Sequence, residues 1–147
     1  SLREGRLVAG EIVLDMNALT CSDITDPKMN AVLLKHLRDH DFFDTEVYPR
    51  ARVTLTEVGF DATVRPGRPN YRGTAELTLK DRTRPLPFEL TGGASKSGEF
   101  SLQGALRFDR TEWNVCYGSA RFFPRLGMHL VNDHIDLDLR LNFKTEE

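Results

Sequence analysis

The sequence of 147 residues has few of the features that identify a mechanism at sight. It has only two cysteines, Cys21 and Cys116, and no C-x-x-C pair, which argues against a zinc or dithiol site and against a small disulfide-stapled domain. The two cysteines could form a disulfide, remain free thiols or bridge two chains. No apolar run approaches the roughly 18 residues that span a membrane. The opening segment 1–5 lacks the apolar core of a signal peptide.

The sequence also lacks a strong charge of either sign. It has 20 basic and 22 acidic residues and a formal net charge of −2. Its arginines between positions 50 and 84 are scattered and interleaved with acids, which is typical of solvated strand faces and turns. Since a nucleic-acid-binding surface needs a basic patch, we predict no nucleic-acid partner.

Local patterns of catalytic and nucleotide-binding sites are absent as well. There is no G-x-S-x-G elbow, Walker loop or dinucleotide fingerprint. His36 and His40 have the spacing of a zinc-binding helix, but Leu37 stands where a metalloprotease carries its glutamate. Asp136 and Asp138 share the outward face of a predicted strand, where solvation explains them better than glycosidase chemistry. We therefore expect no enzymatic activity, no metal site and no cofactor.

What the sequence does contain is alternation of apolar and polar residues with period 2, the pattern of strands with one apolar face. Small residues on the inward rows, such as Gly73 and Gly104, either allow a packed barrel to coil sharply or leave room for a ligand. Pro85 and Pro87 predict an edge or weakly paired stretch, and Gly92–Gly98 predicts a flexible loop. The alternation predicts at least six antiparallel strands, near residues 8–16, 51–56, 73–79, 86–90, 102–108 and 135–143.

One helix is predicted ahead of the second strand. Asp23 or Asp26 can cap its first turn, and Pro27 suits its first position. We expect the helix to cover an end of the sheet with one apolar face, which comprises Met29, Leu33, Leu34 and Leu37.

The segment that follows carries a family resemblance. His36-Leu37, Asp41-Phe42-Phe43-Asp44 and Tyr48-Pro49 resemble the "HL…DFFD…YP" pattern of the YceI-like family. The similarity runs from about Gly10 to Phe143 and also includes Leu14–Thr20, Gly73–Leu79, Thr83–Leu86 and Phe108–Val115.

The resemblance implies an all-β fold, an antiparallel lipocalin-like β-barrel with one short helix covering one end, as a single domain over residues 1–147. Family members are often exported, which implies a periplasmic or secreted protein.

The same resemblance implies the function, a binding or carrier protein that holds a polyisoprenoid or other long-chain lipid inside the barrel. The aromatic cluster between residues 113 and 123 is expected either at the cavity mouth or in a core-lining hairpin. Replacing Leu77 or Leu106 with tryptophan is expected to block the lipid. The predicted tunnel wall comprises Ile12, Leu14, Val53, Leu55, Leu77, Leu79, Phe88, Leu106, Phe108 and Leu139, and the predicted opening comprises Phe43, Trp113, Tyr117 and Phe123.

One departure from the family pattern qualifies this interpretation. Members of the family have about two further strands before the position that matches Leu7. The chain is therefore expected to be a fragment, to close as a smaller barrel, or to be completed by a second chain. The alternative function is a non-enzymatic interaction module, or a homodimer that completes the barrel without a small ligand.

Overall fold

The computed structural model describes residues 1–96, 98–123, 127 and 130–144. Ser97 of the predicted loop and the last three residues of the predicted domain, 145–147, lie outside this range. The regular elements are β1 (Leu2–Arg3), β2 (Arg6–Leu7), β3 (Glu11–Asp15), a 3-10 turn (Met16–Ala18), α1 (Pro27–Arg38), β4 (Arg50–Phe60), β5 (Tyr71–Leu79), β6 (Arg82–Ala94), β7 (Glu99–Asp109), a second 3-10 turn (Arg110–Trp113) and β8 (His134–Lys144).

Strands β3 to β8 form one antiparallel sheet in sequence order, and the sheet curls into a half-barrel. This confirms the predicted all-β, lipocalin-like class. Among the described residues β3 pairs only with β4, and β8 pairs only with β7. The two strands are therefore the edges of the half-barrel.

Two inward glycines allow the sheet to coil. A bulge between Leu55 and Glu57 shifts the β4–β5 register, and a Cβ on Gly73 would overlap the Glu57 carbonyl oxygen. At Gly104 a Cβ would lie 2.5 Å from Leu90 Cδ2 and 2.7 Å from the Glu89 carbonyl oxygen. The sequence left two roles open for these glycines, sharp coiling of the sheet or room for a ligand. The close approach of neighbouring strands at both positions corresponds to the first role.

The prolines of β6 lie where that strand is paired on one side. β6 pairs with β5 from Arg82 to Leu90, but its pairing with β7 covers only Thr91–Ala94. A proline, which has no N–H to donate, is tolerated at such an edge-like stretch. The predicted weak pairing is therefore confirmed, although β6 extends three residues into the predicted loop.

Helix α1 begins at the predicted position. The Asp26 side chain caps it by accepting a hydrogen bond from the Met29 N–H at 2.8 Å, and Pro27 takes the first turn. Leu37 and Phe43 pack against the core. Of the predicted apolar face, Leu37 packs against the core, whereas Met29 is 58% exposed. The end of the half-barrel is therefore covered by the last turn of α1 and by Phe42 of the following segment, whose ring lies against Arg110.

A short hairpin at the start of the chain was not predicted. Its turn residues Glu4 and Gly5 both have positive φ angles, 49° and 71°, as in the tight turns that join antiparallel strands. Leu7 is buried, and its N–H donates to the Tyr71 hydroxyl at 3.3 Å. Tyr71 begins β5, so the hairpin packs at the end of the half-barrel opposite to α1. The Glu-Gly turn was the available sequence signal.

Candidate binding cavity

The concave face of the half-barrel encloses a cavity of about 610 Å³. Inward rows of all six strands supply its wall, and aliphatic side chains dominate it. The lining residues are Ser1, Gly10, Glu11, Ile12, Val13, Leu14, Val53, Leu55, Ala75, Phe88, Leu90, Leu102, Leu106, Leu137, Asp138, Leu139, Leu141, Asn142 and Phe143.

Seven residues of the predicted tunnel wall line this cavity. The sequence analysis missed several others, although Leu137, Leu141 and Phe143 belong to the same alternating row of β8 as Leu139 and could have been chosen on that signal. Contact of these residues with a ligand is part of the proposal below. The seven are Ile12, Leu14, Val53, Leu55, Phe88, Leu106 and Leu139.

Three predicted wall residues lie elsewhere. Leu77, Leu79 and Phe108 are buried in the core near the α1 end and do not line the cavity. Their strands continue beyond the cavity, and there the inward side chains pack against the segment after β7. Alternation along a strand predicts which side chains point inward. It does not predict where along the strand the inward side chains stop lining the cavity and become part of the packed core.

The four residues predicted at the opening do not line the cavity either. Trp113 is 2% exposed, and its indole Nε1 donates to the Leu77 carbonyl at 2.9 Å. Phe43 packs edge-on against Phe42, and Tyr117 packs edge-on against His36. Phe123 is half exposed. For Trp113 the structure corresponds to the core-lining alternative that the sequence left open.

A buried arginine organises the α1 end. The Arg110 guanidinium is fully buried and donates to the carbonyls of Val115, Val131 and Asn132 at 2.6, 3.0 and 2.8 Å. It also lies 5.2 Å from the Phe42 ring centroid. Burial lowers the pKa of Arg110, and the nearby Asp133 carboxylate opposes that shift.

These contacts close the α1 end of the half-barrel. Arg110 joins the segment after β7 to the segment before β8, while Phe42 covers the guanidinium. Met16 and Trp113 are buried at the same end, and neither lines the cavity. The cavity therefore stops before it reaches α1.

At the opposite end, aromatic rings pack against one another beneath the β1–β2 hairpin. The rings of Tyr71 and Phe100 lie 6.3 Å apart, and those of Phe100 and Phe143 lie 5.3 Å apart. Tyr71, Phe100 and Leu7 are buried and do not line the cavity, whereas Phe143 contributes to its floor. Ser1, at the start of the hairpin segment, lines the cavity at this end together with Phe143.

Four polar residues line the cavity, and three of them belong to its rim on the two edge strands, whereas Ser1 precedes β1. Glu11 belongs to β3, and Asp138 and Asn142 belong to β8. The Glu11 carboxylate accepts a hydrogen bond from Arg52 at 2.6 Å. Among the described residues no lysine, arginine or histidine side chain lines the cavity, so the charged side chains of its lining, Glu11 and Asp138, are both acidic.

Other polar groups lie away from this cavity. A surface depression of about 730 Å³ between α1 and the segment before β4 carries charges of both signs, from Lys35, Arg38, Asp39 and Glu46. Within the described ranges no group of three or more histidine, cysteine, aspartate or glutamate side chains could hold a metal ion. None of the described helices is long and apolar enough to cross a membrane.

Comparison with known proteins gives a family and a fold. The model of the YceI-like domain matches residues 3–143. A UPF0312 protein of Photorhabdus laumondii is 42% identical over 52 residues, which cover 35% of this chain and 24% of that protein. The aligned part is therefore about a quarter of that relative's length.

Two solved structures resemble the half-barrel. BcnA of Burkholderia cenocepacia superposes with a TM-score of 0.69 and 20% identity, over 92% of this chain and 74% of that one. A YceI protein of Campylobacter jejuni superposes with a TM-score of 0.63 and 16% identity, over 95% and 73%. At these identities the likeness concerns the fold.

Proposed function

Because the chain belongs to the YceI-like family, we propose that it binds a long-chain apolar ligand, such as a polyisoprenoid or another lipid, in the cavity of the half-barrel. The single observation that carries this proposal is the cavity itself. Its volume of about 610 Å³ is in the range of small-molecule sites, roughly 300–1,000 Å³. The proposal includes no catalytic step.

The aliphatic wall supplies the affinity in this proposal. Transfer of a methylene group from water to an apolar site is worth about 0.8 kcal/mol. A chain that lies along the inward rows of β4, β7 and β8 would contact Leu55, Leu106 and Leu139, all of which line the cavity. Affinity should therefore increase with chain length until the cavity is filled.

The rim selects the head group. An anionic head at the rim would face Asp138 and the Glu11–Arg52 pair without a lining lysine or arginine to neutralise it. Like charges in a partly desolvated site repel each other. We therefore assign the site to ligands with an uncharged or cationic head group.

The first experiment is organic extraction of the purified protein followed by mass spectrometry, together with its native mass. A stoichiometric long-chain lipid supports the proposal and identifies the head group. The double variant Leu106→Trp/Leu139→Trp fills the cavity from two strands and should lose most of this lipid. Val32→Trp, at an exposed helix position, is the matched control and should retain it. Equal lipid content in both variants would contradict the site.

A second candidate function follows from the strand edges. Val13 and Leu14 of β3 are 44% and 40% exposed, and an exposed edge strand can pair with another chain. A homodimer would join β3 of one copy to β8 of the other and complete the barrel without a small ligand. A dimeric native mass with an empty extract favours this candidate, whereas a monomer that carries lipid opposes it.

A further inference from the structure

Strand β6 changes character where it approaches the α1 end of the half-barrel. Leu86 and Phe88 of its inward row are buried, but the next two positions of that row towards this end are Arg84 and Arg82, which are exposed. Side chains two residues apart lie on the same face of a sheet, so charge replaces apolar bulk where the row reaches the second 3-10 turn. The Arg84 Nε donates to the Glu112 carbonyl at 2.8 Å, and the Arg82 Nη1 donates to the same oxygen at 3.5 Å.

Two further cations reach the same turn from other parts of the chain. The Lys80 Nζ, between β5 and β6, donates to the Asn114 carbonyl at 3.3 Å. Arg121, after the turn, donates to the Thr111 Oγ1 at 3.1 Å and to the Asp109 carboxylate at 2.9 Å. The fold thus gathers arginines that are scattered in the sequence. We define the basic cluster as Lys80, Arg82, Arg84 and Arg121.

Three members of the basic cluster keep their charge unpaired. Among the described residues Lys80, Arg82 and Arg84 form no ion pair. A guanidinium carries five N–H donors, and Arg82 and Arg84 each use one of them on the Glu112 carbonyl. The remaining donors suit phosphate oxygens, which arginine binds in pairs. The exposed carboxylates beside them in the chain, Asp81 and Glu112, are fewer than these cations, so a positive excess remains.

Exposed aromatic rings adjoin the basic cluster. Phe122 and Phe123 directly follow Arg121 and are 51% and 49% exposed. Their N–H groups both donate to the Ser119 carbonyl, at 3.2 and 2.9 Å, so a hydrogen-bonded turn holds the two residues at the surface. Aromatic rings beside cations are typical of surfaces that lie in a membrane interface, where the rings enter the boundary between head groups and acyl chains. A dissolved phosphate ion would use the cations alone.

From these observations we propose that the basic cluster and the two rings of Phe122 and Phe123 dock the protein on the surface of a bilayer that contains anionic phospholipid. The guanidinium groups bind head-group phosphates, and the rings enter the boundary beneath them. The α1 end of the half-barrel then faces the bilayer. This inference goes beyond the proposed binding function and does not depend on it, because none of these side chains lines the cavity.

Co-sedimentation with vesicles tests the docking. The unmodified protein should bind vesicles of mixed phosphatidylglycerol and phosphatidylcholine, and should bind them more weakly at high salt because exposed charges are screened. Arg82→Gln/Arg84→Gln should weaken binding at least roughly tenfold, since each basic residue near an anionic surface contributes about a fivefold gain. Glutamine can still donate to the Glu112 carbonyl. The matched control, Arg65→Gln/Arg68→Gln, removes two exposed arginines from the β4–β5 connection at the hairpin end. It should change binding less than about twofold, because charges that far from the bilayer are screened.

A second variant tests the rings. Phe122→Ser/Phe123→Ser should also weaken binding at least roughly tenfold, because the apolar area that leaves water at the bilayer is lost. Val8→Ser, at a 43% exposed position near the hairpin, is its control and should bind like the unmodified protein. Urea midpoints verify that every variant is folded.

Three results would overturn the docking. The first is an unmodified protein that does not sediment with the mixed vesicles, and the second is equal binding by the arginine variant and its control. The third is full binding by the phenylalanine variant together with release of the protein by inorganic phosphate, which would mean that the cluster recognises phosphate alone. The lipid content of the organic extract tests the proposed function separately, so failure of the docking and failure of the cavity are distinguishable.

Discussion

The indole Nε1 of Trp113 donates a hydrogen bond of 2.9 Å to the backbone carbonyl of Leu77. This bond joins the 3-10 turn after β7 to the middle strand β5, beneath the helix-covered end. Both residues are buried, so they belong to the packed layer that closes the cavity. The inward face of the half-barrel thus has two parts, a packed end that contains this contact and an open part that forms the cavity.

That division predicts different outcomes for two tryptophan substitutions. Leu77→Trp adds bulk to the packed layer, and overpacking of this kind costs about 1–3 kcal/mol or more. Leu106→Trp points into the cavity and should lower ligand affinity with a much smaller loss of stability. Urea unfolding measures the loss of stability, and fluorescence titration with a conjugated polyene fatty alcohol measures the loss of affinity. A stable Leu77→Trp protein that loses ligand would place the cavity wall at Leu77 after all.

The sequence predicted the strands better than the cavity. Alternation identified the inward rows of β4, β7 and β8, because one face of each strand is apolar. It could not separate Leu106 from Phe108, since both lie on the inward row of β7 and only the contact with Trp113 puts Phe108 in the packed end. It also could not identify Glu11 or Asp138 as rim residues, because a role at a strand edge depends on which strand lies beside it.

The acidic rim predicts selectivity among chains of equal length. A fatty alcohol or amine should bind at least roughly tenfold more tightly than the fatty acid at neutral pH, a difference of about 1.4 kcal/mol. Asp138→Asn should reduce this preference because it removes a rim charge. Competition against the polyene alcohol measures the three affinities. Tighter binding of the acid to the unmodified protein would refute the assignment of the head group.

Glycine at position 73 is required by the coiling of the sheet. A Cβ there would collide with the Glu57 backbone at the bulge, which has little freedom to move. Gly73→Ala should lower the free energy of unfolding by about 1–3 kcal/mol. Gly93→Ala is the matched control, since nothing lies within 4 Å of the position of its Cβ, and its stability should change by less than about 0.5 kcal/mol. Equal urea midpoints for both variants would show that the strands can separate at Gly73.

Replacement of the buried Arg110 is predicted to cause a large loss of stability. Arg110→Met leaves the carbonyls of Val115, Val131 and Asn132 without their donor, and buried unsatisfied groups cost about 1–3 kcal/mol each. We expect a loss of at least about 3 kcal/mol. Arg107→Met removes an arginine that pairs with Asp136 on the exposed face, and it should lower stability far less, because exposed ion pairs contribute little. Comparable losses in chemical denaturation would mean that the Arg110 hydrogen bonds contribute little.

The contacts of His40, just after α1, predict a small dependence of stability on pH. Its ring nitrogens lie 2.8 Å from the Asp39 carboxylate and 2.9 Å from the Asp41 carboxylate. The hydrogen bond with Asp39 and then the charge of Asp41 raise the pKa of His40 above its ordinary value. Because the folded-state pKa is raised, the stabilisation is fully present below the unfolded value of about 6.5 and is lost as the pH rises through the folded value. NMR titration of the imidazole should show a midpoint above 6.5, and Asp41→Asn should lower it. A midpoint at or below that of an unfolded peptide would show that the carboxylates do not hold the charged ring.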